Sequence, residues 1–252
     1  MAGRGYREFA EDLRRRIDAG EFVNDNKLPP IDQLMEEYGA AKQTIRSAIG
    51  VLADEGLVVP VRRAGTLIRH RTPVRVPLSR YGQVLAPGGA KGPWETATAA
   101  QGLDGDMRFV SVERVQADAQ TAALLDLAEG DDLVYRVRQA LIRPDDVVQI
   151  QQAWYPAAIA EASGLDRDGK LTGGVYGALT AAGHRPNTAS ETVGARTPTE
   201  SEASQLRIGG RVFVLTLERV TRDAAGQPLE VLRAIAPADR LQFSYDNLPL
   251  ET

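Results

Sequence analysis

The chain has 252 residues with ordinary charged and apolar fractions, a length that allows two domains with hydrophobic cores of their own. It contains no cysteine and only two histidines, which excludes disulfides and thiolate metal sites, and we expect neither a metal ion nor another cofactor. The formal net charge is −4, no apolar run reaches the roughly 18 residues of a membrane span, and the first residues lack a secretory signal, so we expect a cytoplasmic protein without membrane contact.

A first helix is predicted over residues 4–20. Phe9, Leu13 and Ile17 share one stripe at helical spacing, and Gly20 ends the pattern. This stripe predicts that one face of the helix packs on a core.

Two further helices joined by a short turn follow the first. Pro29 and Pro30 favour a helix start, and Gly39 favours a left-handed helix end. The next helix is predicted over residues 42–53, because its apolar residues recur three and four positions apart. A second helix that begins with polar and basic residues is typical of a helix-turn-helix that enters the major groove of DNA, and Arg46 is best suited to a guanine edge or a phosphate. The candidate DNA contacts of this recognition helix are Lys42, Gln43, Thr44 and Arg46.

A hairpin with a basic tip follows the recognition helix. Leu57 to Val59 and Leu67 to Ile68 have the composition of two short strands on either side of a basic turn. The pattern predicts a wing that contacts the neighbouring minor groove or its backbone. The candidate contacts of the wing are Arg62, Arg63, Gly65 and Thr66.

This part of the sequence resembles the winged helix-turn-helix domain of the GntR family of bacterial transcription regulators over roughly 70 residues. The matching residues are Leu28-Pro29, Leu34, Tyr38-Gly39, Thr44-Ile45-Arg46, Leu52, Glu55-Gly56-Leu57 and Gly65-Thr66. Lys42 stands where an arginine is common, and Arg63-Ala64 stands where the wing tip usually has Gly-Arg. The resemblance implies a DNA-binding domain, which we assign to residues 1–70.

Charge is distributed unevenly along the chain. Residues 1–80 carry 14 basic and 11 acidic residues, a balance of +3, whereas residues 81–252 carry 16 and 23, a balance of −7. From Gly56 to Trp94 there are seven basic residues and no acidic one. Such a run is either a solvated surface or a phosphate-binding region, and the adjoining helix-turn-helix favours the second. Residues 71–96 are rich in proline and glycine and predict a linker, near whose end Trp94 is expected to be a core residue.

An internal repeat occupies the second half of the chain. Residues 121–156 and 200–237 both have the pattern of a short helix, a glycine turn, a strand, a turn and a second strand ending at a proline. Two such copies predict a pseudo-symmetric domain with an antiparallel sheet. A short helix is predicted between them over residues 175–179. We therefore expect an α+β protein with a C-terminal antiparallel-sheet α/β domain over residues 97–252.

The first hairpin of this domain carries two arginines on one face. A turn at residues 143–146 places Arg138 opposite Gln151 on the next strand, and the same register places Arg136 opposite Ala153. Two guanidinium groups beside an amide suit a carboxylate or phosphate, although two exposed strand arginines paired with acidic residues would show the same pattern. The remaining candidate effector-binding residues are Trp94, Tyr176, Glu230 and Arg233, for which packing or surface ion pairs are the alternatives.

The second half resembles the UTRA domain, the ligand-sensing module of the HutC-type branch of the GntR family, whose fold is similar to chorismate lyase. The matching residues are Gly130, Leu133, Tyr135, Arg136, Arg138, Trp154-Tyr155-Pro156, Tyr176, Leu179, Gly183, Glu191, Gly226, Pro228, Glu230 and Asp239-Arg240. The resemblance implies a small-molecule sensor, and in sugar-phosphate sensors of this type the paired arginines bind the phosphate. Gln151 stands where these domains often have glutamate, which makes an amino-sugar phosphate less suitable here.

The two resemblances imply a homodimeric repressor that a polar or anionic small molecule releases from a near-palindromic double-stranded DNA operator. An enzyme on the chorismate-lyase-like fold and a constitutive DNA-binding protein with an inert C-terminal domain are the alternatives. His184 lies in a predicted turn between Gly183 and Pro186, and no nucleophile, phosphate-binding or metal motif accompanies it. We therefore expect no enzyme and no catalytic residues.

Overall fold

The computed structural model of the chain describes residues 5–22, 25–61, 63–69, 72–77, 92–171 and 173–245. These residues form two compact units. The N-terminal unit comprises Met1–Thr72 with Thr197–Phe213, and the C-terminal unit comprises Pro73–Arg196 with Val214–Thr252. Among the described residues, no helix is both long enough and apolar enough to cross a membrane.

Helices and strands occur throughout the described residues. The helices are α1 (Tyr6–Asp18), α2 (Ile31–Tyr38), α3 (Lys42–Asp54), α4 (Pro93–Ala99), α5 (Ala119–Leu125), α6 (Ala157–Ser163), α7 (Gly174–Ala181) and α8 (Glu200–Leu206). The strands are β1 (Val58–Val61), β2 (Gly65–Ile68), β3 (Val74–Pro77), β4 (Gly105–Gln116), β5 (Asp132–Ile142), β6 (Asp146–Pro156), β7 (Thr188–Arg196), β8 (Val214–Arg222), β9 (Pro228–Pro237) and β10 (Leu241–Ser244).

In the N-terminal unit, α1, α2 and α3 pack around one hydrophobic core. Its buried side chains include those of Phe9, Leu13, Leu34, Ile45, Ala48, Ile49 and Leu52. Gly39 ends α2 with a φ of +60°, a left-handed conformation that lets the chain turn directly into α3. The predicted helix-turn-helix is confirmed.

The predicted wing is also present. β1 and β2 form an antiparallel hairpin in which Val61 lies opposite Gly65. Arg63 and Gly65 have φ values of +66° and +90°, which close the tip. Leu67 of β2 forms a further bridge to Lys27, so the hairpin is fixed to the chain that precedes α2.

The C-terminal unit is built on a six-stranded sheet in the order β4-β5-β6-β9-β8-β7, with every neighbouring pair antiparallel. The first repeat is α5-β5-β6 and the second is α8-β8-β9, and their last strands pair at the centre of the sheet. The predicted repeat and the α+β class are confirmed. Arg138 lies opposite Gln151 and Arg136 opposite Ala153, in the predicted register.

The predicted linker over residues 71–96 includes regular structure at both ends. β3 pairs in parallel with β10, and its alternating Val74 and Val76 are buried in the C-terminal unit. At the other end, α4 begins at Pro93, a residue whose fixed φ suits the first helical turn. The linker prediction is corrected accordingly, and residues 78–91 lie outside the described residues.

The helix of the second repeat belongs to the N-terminal unit. The α-carbon of Gly209, just after α8, lies so close to Ala53 of α3 that an added β-carbon would be 2.4 Å from the Ala53 carbonyl oxygen. Arg211 lies 3.4 Å from the carboxylate of Asp54. The boundaries predicted from the sequence, 1–70 and 97–252, place this segment in the other domain.

Candidate nucleic-acid interface and ligand cavity

The first candidate site is the outward face of α3. Lys42, Gln43 and Arg46 are exposed and Thr44 is half-buried, because the opposite face of the helix packs in the core. Lys42 lies 3.6 Å from the carboxylate of Asp32, an exposed and therefore weak ion pair. No described residue forms a hydrogen bond or ion pair with the guanidinium group of Arg46. The exposed side chains of Lys42, Gln43 and Arg46 therefore remain candidate DNA contacts.

The wing supplies the other predicted contacts. Arg63 and Gly65 are exposed at its tip and Thr66 is half-buried. Thr66 also uses its carbonyl oxygen to accept a hydrogen bond from the backbone N–H of Leu28 at 2.9 Å. Arg62 lies outside the described residues.

The arginines of α1 are engaged inside the N-terminal unit. Arg14 donates to the carboxylate of Glu55 at 2.6 Å, and Arg16 donates to Glu21 and Glu37, each at 2.7 Å. Hydrogen bonding to the Glu21 carboxylate raises the pKa of Arg16. These contacts connect α1 to the other helices, so the arginines serve the packing of the unit.

The second candidate site is a cavity of about 440 Å³ in the C-terminal unit. Six of the predicted effector-binding residues line it: Trp94, Arg136, Arg138, Gln151, Tyr176 and Glu230. They come from α4, β5, β6, α7 and β9, so the fold brings together residues that are far apart in the sequence.

Arg136 binds the protein itself. Its side chain is buried, and it donates hydrogen bonds to the carbonyl oxygens of Leu165 at 2.9 Å, Arg167 at 2.6 Å and Gly169 at 2.5 Å. Its guanidinium also lies over the ring of Phe109, 4.7 Å from the centroid. Burial lowers the pKa of Arg136. The expectation that both arginines bind a ligand is corrected here, because three carbonyl groups take three of the five N–H donors of Arg136, although its buried Nε has no partner among the described residues.

Glu230 is the centre of a buried polar network. Its side chain is fully buried and accepts a hydrogen bond from the hydroxyl of Tyr155 at 2.6 Å. Its other oxygen accepts hydrogen bonds from Arg219 at 3.3 Å and Thr221 at 3.4 Å. Burial, and then the charge of Glu230, raise the pKa of Tyr155 well above its usual value. Arg219 also lies 3.5 Å from Glu191, so one arginine bridges two carboxylates.

The sequence analysis missed Tyr155, Arg219 and Thr221. Assigning a strand register to the second hairpin, β8–β9, as was done for β5–β6, would have identified Thr221 and Arg219. In that register Thr221 lies opposite Glu230. Arg219 is two residues before Thr221 and therefore on the same face of β8.

Arg138 is the lining arginine with the weakest contacts to the described residues. Its Nη2 atom lies 3.9 Å from Glu230, beyond hydrogen-bond distance, and its buried Nε has no hydrogen-bond partner. The side chain remains 16% exposed. Beside it, the amide of Gln151 donates to Gln149 at 2.7 Å. Arg138 therefore keeps donors that a bound molecule can use.

Two aromatic residues of the wall have their polar atoms bound to protein. Trp94 donates its indole N–H to the carbonyl oxygen of Leu141 at 3.0 Å, and it is buried as predicted. The hydroxyl of Tyr176 lies 3.1 Å from that of Thr221, and burial raises the pKa of Tyr176. Both side chains thus contribute mainly apolar surface.

A charged cluster also lines the cavity. Lys170 donates to Asp106 at 2.5 Å and lies 3.6 Å from Glu95, and Arg143 donates to Asp106 at 3.1 Å. The hydrogen bond from Lys170 is the main reason that the pKa of Asp106 is lowered. Most of these charges are paired within the cluster, but the buried Oε2 of Glu95 has no hydrogen-bond partner among the described residues.

Arg233 does not line the cavity. It donates to Glu218 at 2.8 Å and lies over Trp154, 5.0 Å from the ring centroid. Side chains alternate along a strand, and Arg233 is three residues from Glu230, so the two point to opposite faces of β9. Its inclusion among the effector-binding candidates is corrected for this reason.

None of the described residues that line the cavity is a histidine. Among the described residues, no group of three acidic or histidine side chains could hold a metal ion. His184 follows α7 and is not among the lining residues.

Comparison with known proteins identifies the families that the two parts of the chain match. Residues 5–68 match the description "Bacterial regulatory proteins, gntR family", and residues 100–242 match the UTRA domain. An uncharacterized HTH-type transcriptional regulator of Streptomyces coelicolor is 27% identical over 246 residues, which cover 96% of this chain and 91% of that protein. The HTH-type transcriptional repressor NagR of Bacillus subtilis is 21% identical over 241 residues, covering 95% and 93%.

A solved structure shows the same fold. The crystal structure of PhnF from Mycobacterium smegmatis matches with a TM-score of 0.61 over 94% of this chain and 99% of that chain, at 20% identity. The family matches together cover most of the described sequence. The chain belongs to the GntR family of bacterial regulatory proteins and, with its UTRA domain, is a DNA-binding transcription regulator.

Proposed function

We propose that this regulator is a homodimeric repressor that leaves its operator when a small polar or anionic molecule occupies the cavity. The observation that carries the proposal is a cavity of about 440 Å³ whose wall contains the weakly bound Arg138. Small-molecule sites typically measure roughly 300–1,000 Å³ and contain a few polar groups on an apolar wall. The relative named as a repressor supports the direction of regulation.

DNA recognition is assigned to α3 and the wing. Lys42, Gln43, Thr44 and Arg46 would enter the major groove, with Arg46 on a guanine edge or a phosphate. Arg63 and Gly65 would meet the minor groove or its backbone, together with Arg62 and Thr66. One such unit contacts few base pairs, so two units on a near-palindromic operator are expected to bind together. We expect the protein to act in the cytoplasm.

Release from the operator requires that ligand and DNA binding be coupled. A ligand that binds the DNA-free state more tightly lowers operator affinity by the same factor, typically about 5- to 150-fold for couplings of about 1–3 kcal/mol. A constitutive DNA-binding protein would show no such coupling, and an enzyme would convert the ligand.

The DNA-binding part is tested with Arg46→Ala in the full-length protein. A duplex is first selected from a random-sequence pool by the unaltered protein, and affinity for it is then measured by fluorescence anisotropy. Loss of a contact to a guanine edge should weaken binding by about 1–3 kcal/mol, or roughly 5- to 150-fold, without changing the unfolding temperature.

Arg114→Ala is the matched control, because Arg114 is an exposed arginine of the C-terminal unit that pairs with Glu161. It should bind the duplex normally. Failure to enrich any sequence, or equal affinity of Arg46→Ala and the unaltered protein, would overturn the proposed recognition. A symmetric footprint and a dimeric mass in light scattering are expected for the homodimer.

A further inference from the structure

Most cationic side chains around the cavity are already engaged. Five lining residues in the described part of the chain are basic: Arg136, Arg138, Arg143, Lys170 and Arg219. Arg136 binds three carbonyl groups, Arg143 and Lys170 share Asp106, and Arg219 bridges Glu191 and Glu230. Binding a phosphate dianion would require several of these contacts to break, since a phosphate accepts hydrogen bonds on three oxygens.

Arg138 differs from the other four. Its side chain makes no hydrogen bond to a described residue, and the carboxylate oxygen nearest to it, on Glu230, is 3.9 Å away. A guanidinium group presents pairs of parallel N–H donors that match one carboxylate in a bidentate arrangement. The cavity therefore has the donors for one carboxylate at a single point.

Away from the charged cluster around Asp106 and from Gln149 and Gln151, the wall is suited to an apolar body. Its apolar side chains include Trp94, Met107, Val175, Leu217, Leu232 and Phe243. The polar atoms of Trp94 and Tyr176 are bound to Leu141 and Thr221. A sugar ring against these apolar side chains would lose hydrogen bonds to water that they cannot replace.

We propose that the effector of this regulator is a small monocarboxylate with an apolar body, that Arg138 binds its carboxylate, and that sugar phosphates are excluded. Arg136 then acts as a positioning residue, because it holds the 165–169 loop beside the cavity. Only the effect of this ligand on DNA binding rests on the proposed function. Binding of the ligand to the cavity can be measured without an operator.

Four probes separate the head group from the body. Calorimetric titration of the full-length protein should detect 3-phenylpropanoate and show at least tenfold weaker binding of its neutral counterpart, 3-phenylpropanamide. Acetate carries the charge without the apolar body, and glucose 6-phosphate carries a dianion on a polar body. Both should bind at least tenfold more weakly than 3-phenylpropanoate.

Arg138→Gln should weaken the binding of 3-phenylpropanoate at least tenfold and leave the binding of 3-phenylpropanamide unchanged. Arg114→Gln, which alters an exposed arginine outside the cavity, should change the affinity for neither compound. The affinity of Arg138→Lys for 3-phenylpropanoate should lie between those of the unaltered protein and Arg138→Gln, because an ammonium group keeps the charge but not the planar pair of donors.

Several outcomes overturn the proposal: equal binding of the acid and the amide, preference for glucose 6-phosphate, no binding of any probe, or no effect of Arg138→Gln. If Arg138→Gln does not fold, the contrast between acid and amide on the unaltered protein decides alone. Binding of 3-phenylpropanoate without any change in operator affinity would contradict ligand release but leave the ligand class intact.

Discussion

The recognition helix and the cavity wall both carry arginines, but their environments are opposite. Arg46 of α3 is exposed, and no described residue of the N-terminal unit binds it. Arg136 of β5 is buried, and three carbonyl groups from one loop accept its hydrogen bonds. On α3, whether a side chain is exposed follows from its position relative to the buried face of the helix. In the cavity, the partners of an arginine depend on which distant segment of the chain lies beside it.

Two arginines on the same strand show this dependence most directly. Arg136 and Arg138 share one face of β5, and both line the cavity. The loop at residues 165–169 reaches only Arg136, so Arg138 keeps its donors. Two equivalent positions in a strand pattern thus differ in their partners, and only Arg138 is proposed to bind a ligand.

The largest effect is expected from Glu230→Leu. The substitution leaves Arg219 and Arg138 facing an apolar group in the buried network, and breaking a buried ion pair typically costs about 3–5 kcal/mol. Scanning calorimetry of the full-length protein should show a large drop in the unfolding temperature. Glu218→Leu is the matched control, because Glu218 pairs with Arg233 on the other face at a site that is one-third exposed. It should cost about 0–1 kcal/mol, and similar losses for the two variants would contradict the central role of Glu230.

The next effect separates the two arginines of β5. Arg136→Met leaves three carbonyl groups without a charged donor, and we expect a loss of about 2–3 kcal/mol in the free energy of unfolding. Arg138→Met should change it by less than about 1 kcal/mol, because Arg138 lies beyond hydrogen-bond distance of Glu230, and Glu230 keeps its hydrogen bonds from Tyr155, Arg219 and Thr221. Urea unfolding measures both values. Equal losses would show that the distinction between the two side chains is wrong.

The parts that the sequence predicted well depend on local patterns. Helical spacing at Ile45, Ala48 and Ile49 identifies the buried face of α3, and the exposed face follows from it. A single turn fixes the register of β5 and β6, so the pairing of Arg138 with Gln151 is correct to the residue.

The parts that it missed depend on contacts between distant segments. The carbonyl groups that bind Arg136 come from a loop without any sequence motif. Arg219 looks like an ordinary strand residue until β8 is placed beside β9 and Glu230. The association of Gly209 and Arg211 with the end of α3 is of the same kind. Spacing within one element cannot identify such partners.

A smaller effect tests whether local backbone preference controls the recognition helix. Gly39→Ala places a side chain at a φ of +60° and should destabilise the N-terminal unit by about 1 kcal/mol. Gly50→Ala is the matched opposite, because Gly50 lies inside α3 with nothing within 4 Å of an added β-carbon. It should stabilise the unit by about 0.5–1 kcal/mol. Thermal unfolding measures the direction of the stability change in each variant. A loss of stability at both positions would mean that contacts outside the helix outweigh the local backbone preference.

The smallest change in stability is expected from Lys42→Ala, whose effect should instead be seen in the salt dependence of DNA binding. The ion pair of Lys42 with Asp32 is exposed, so the unfolding free energy should change by less than about 0.5 kcal/mol. If Lys42 contacts a phosphate, the slope of log affinity against log salt should decrease in magnitude by about one, equally for selected and unrelated duplexes. Arg114→Ala should keep the original slope. A loss confined to the selected duplex would instead assign Lys42 to a base edge, whereas an unchanged slope and affinity would remove it from the interface and leave DNA recognition to Gln43, Thr44, Arg46 and the wing.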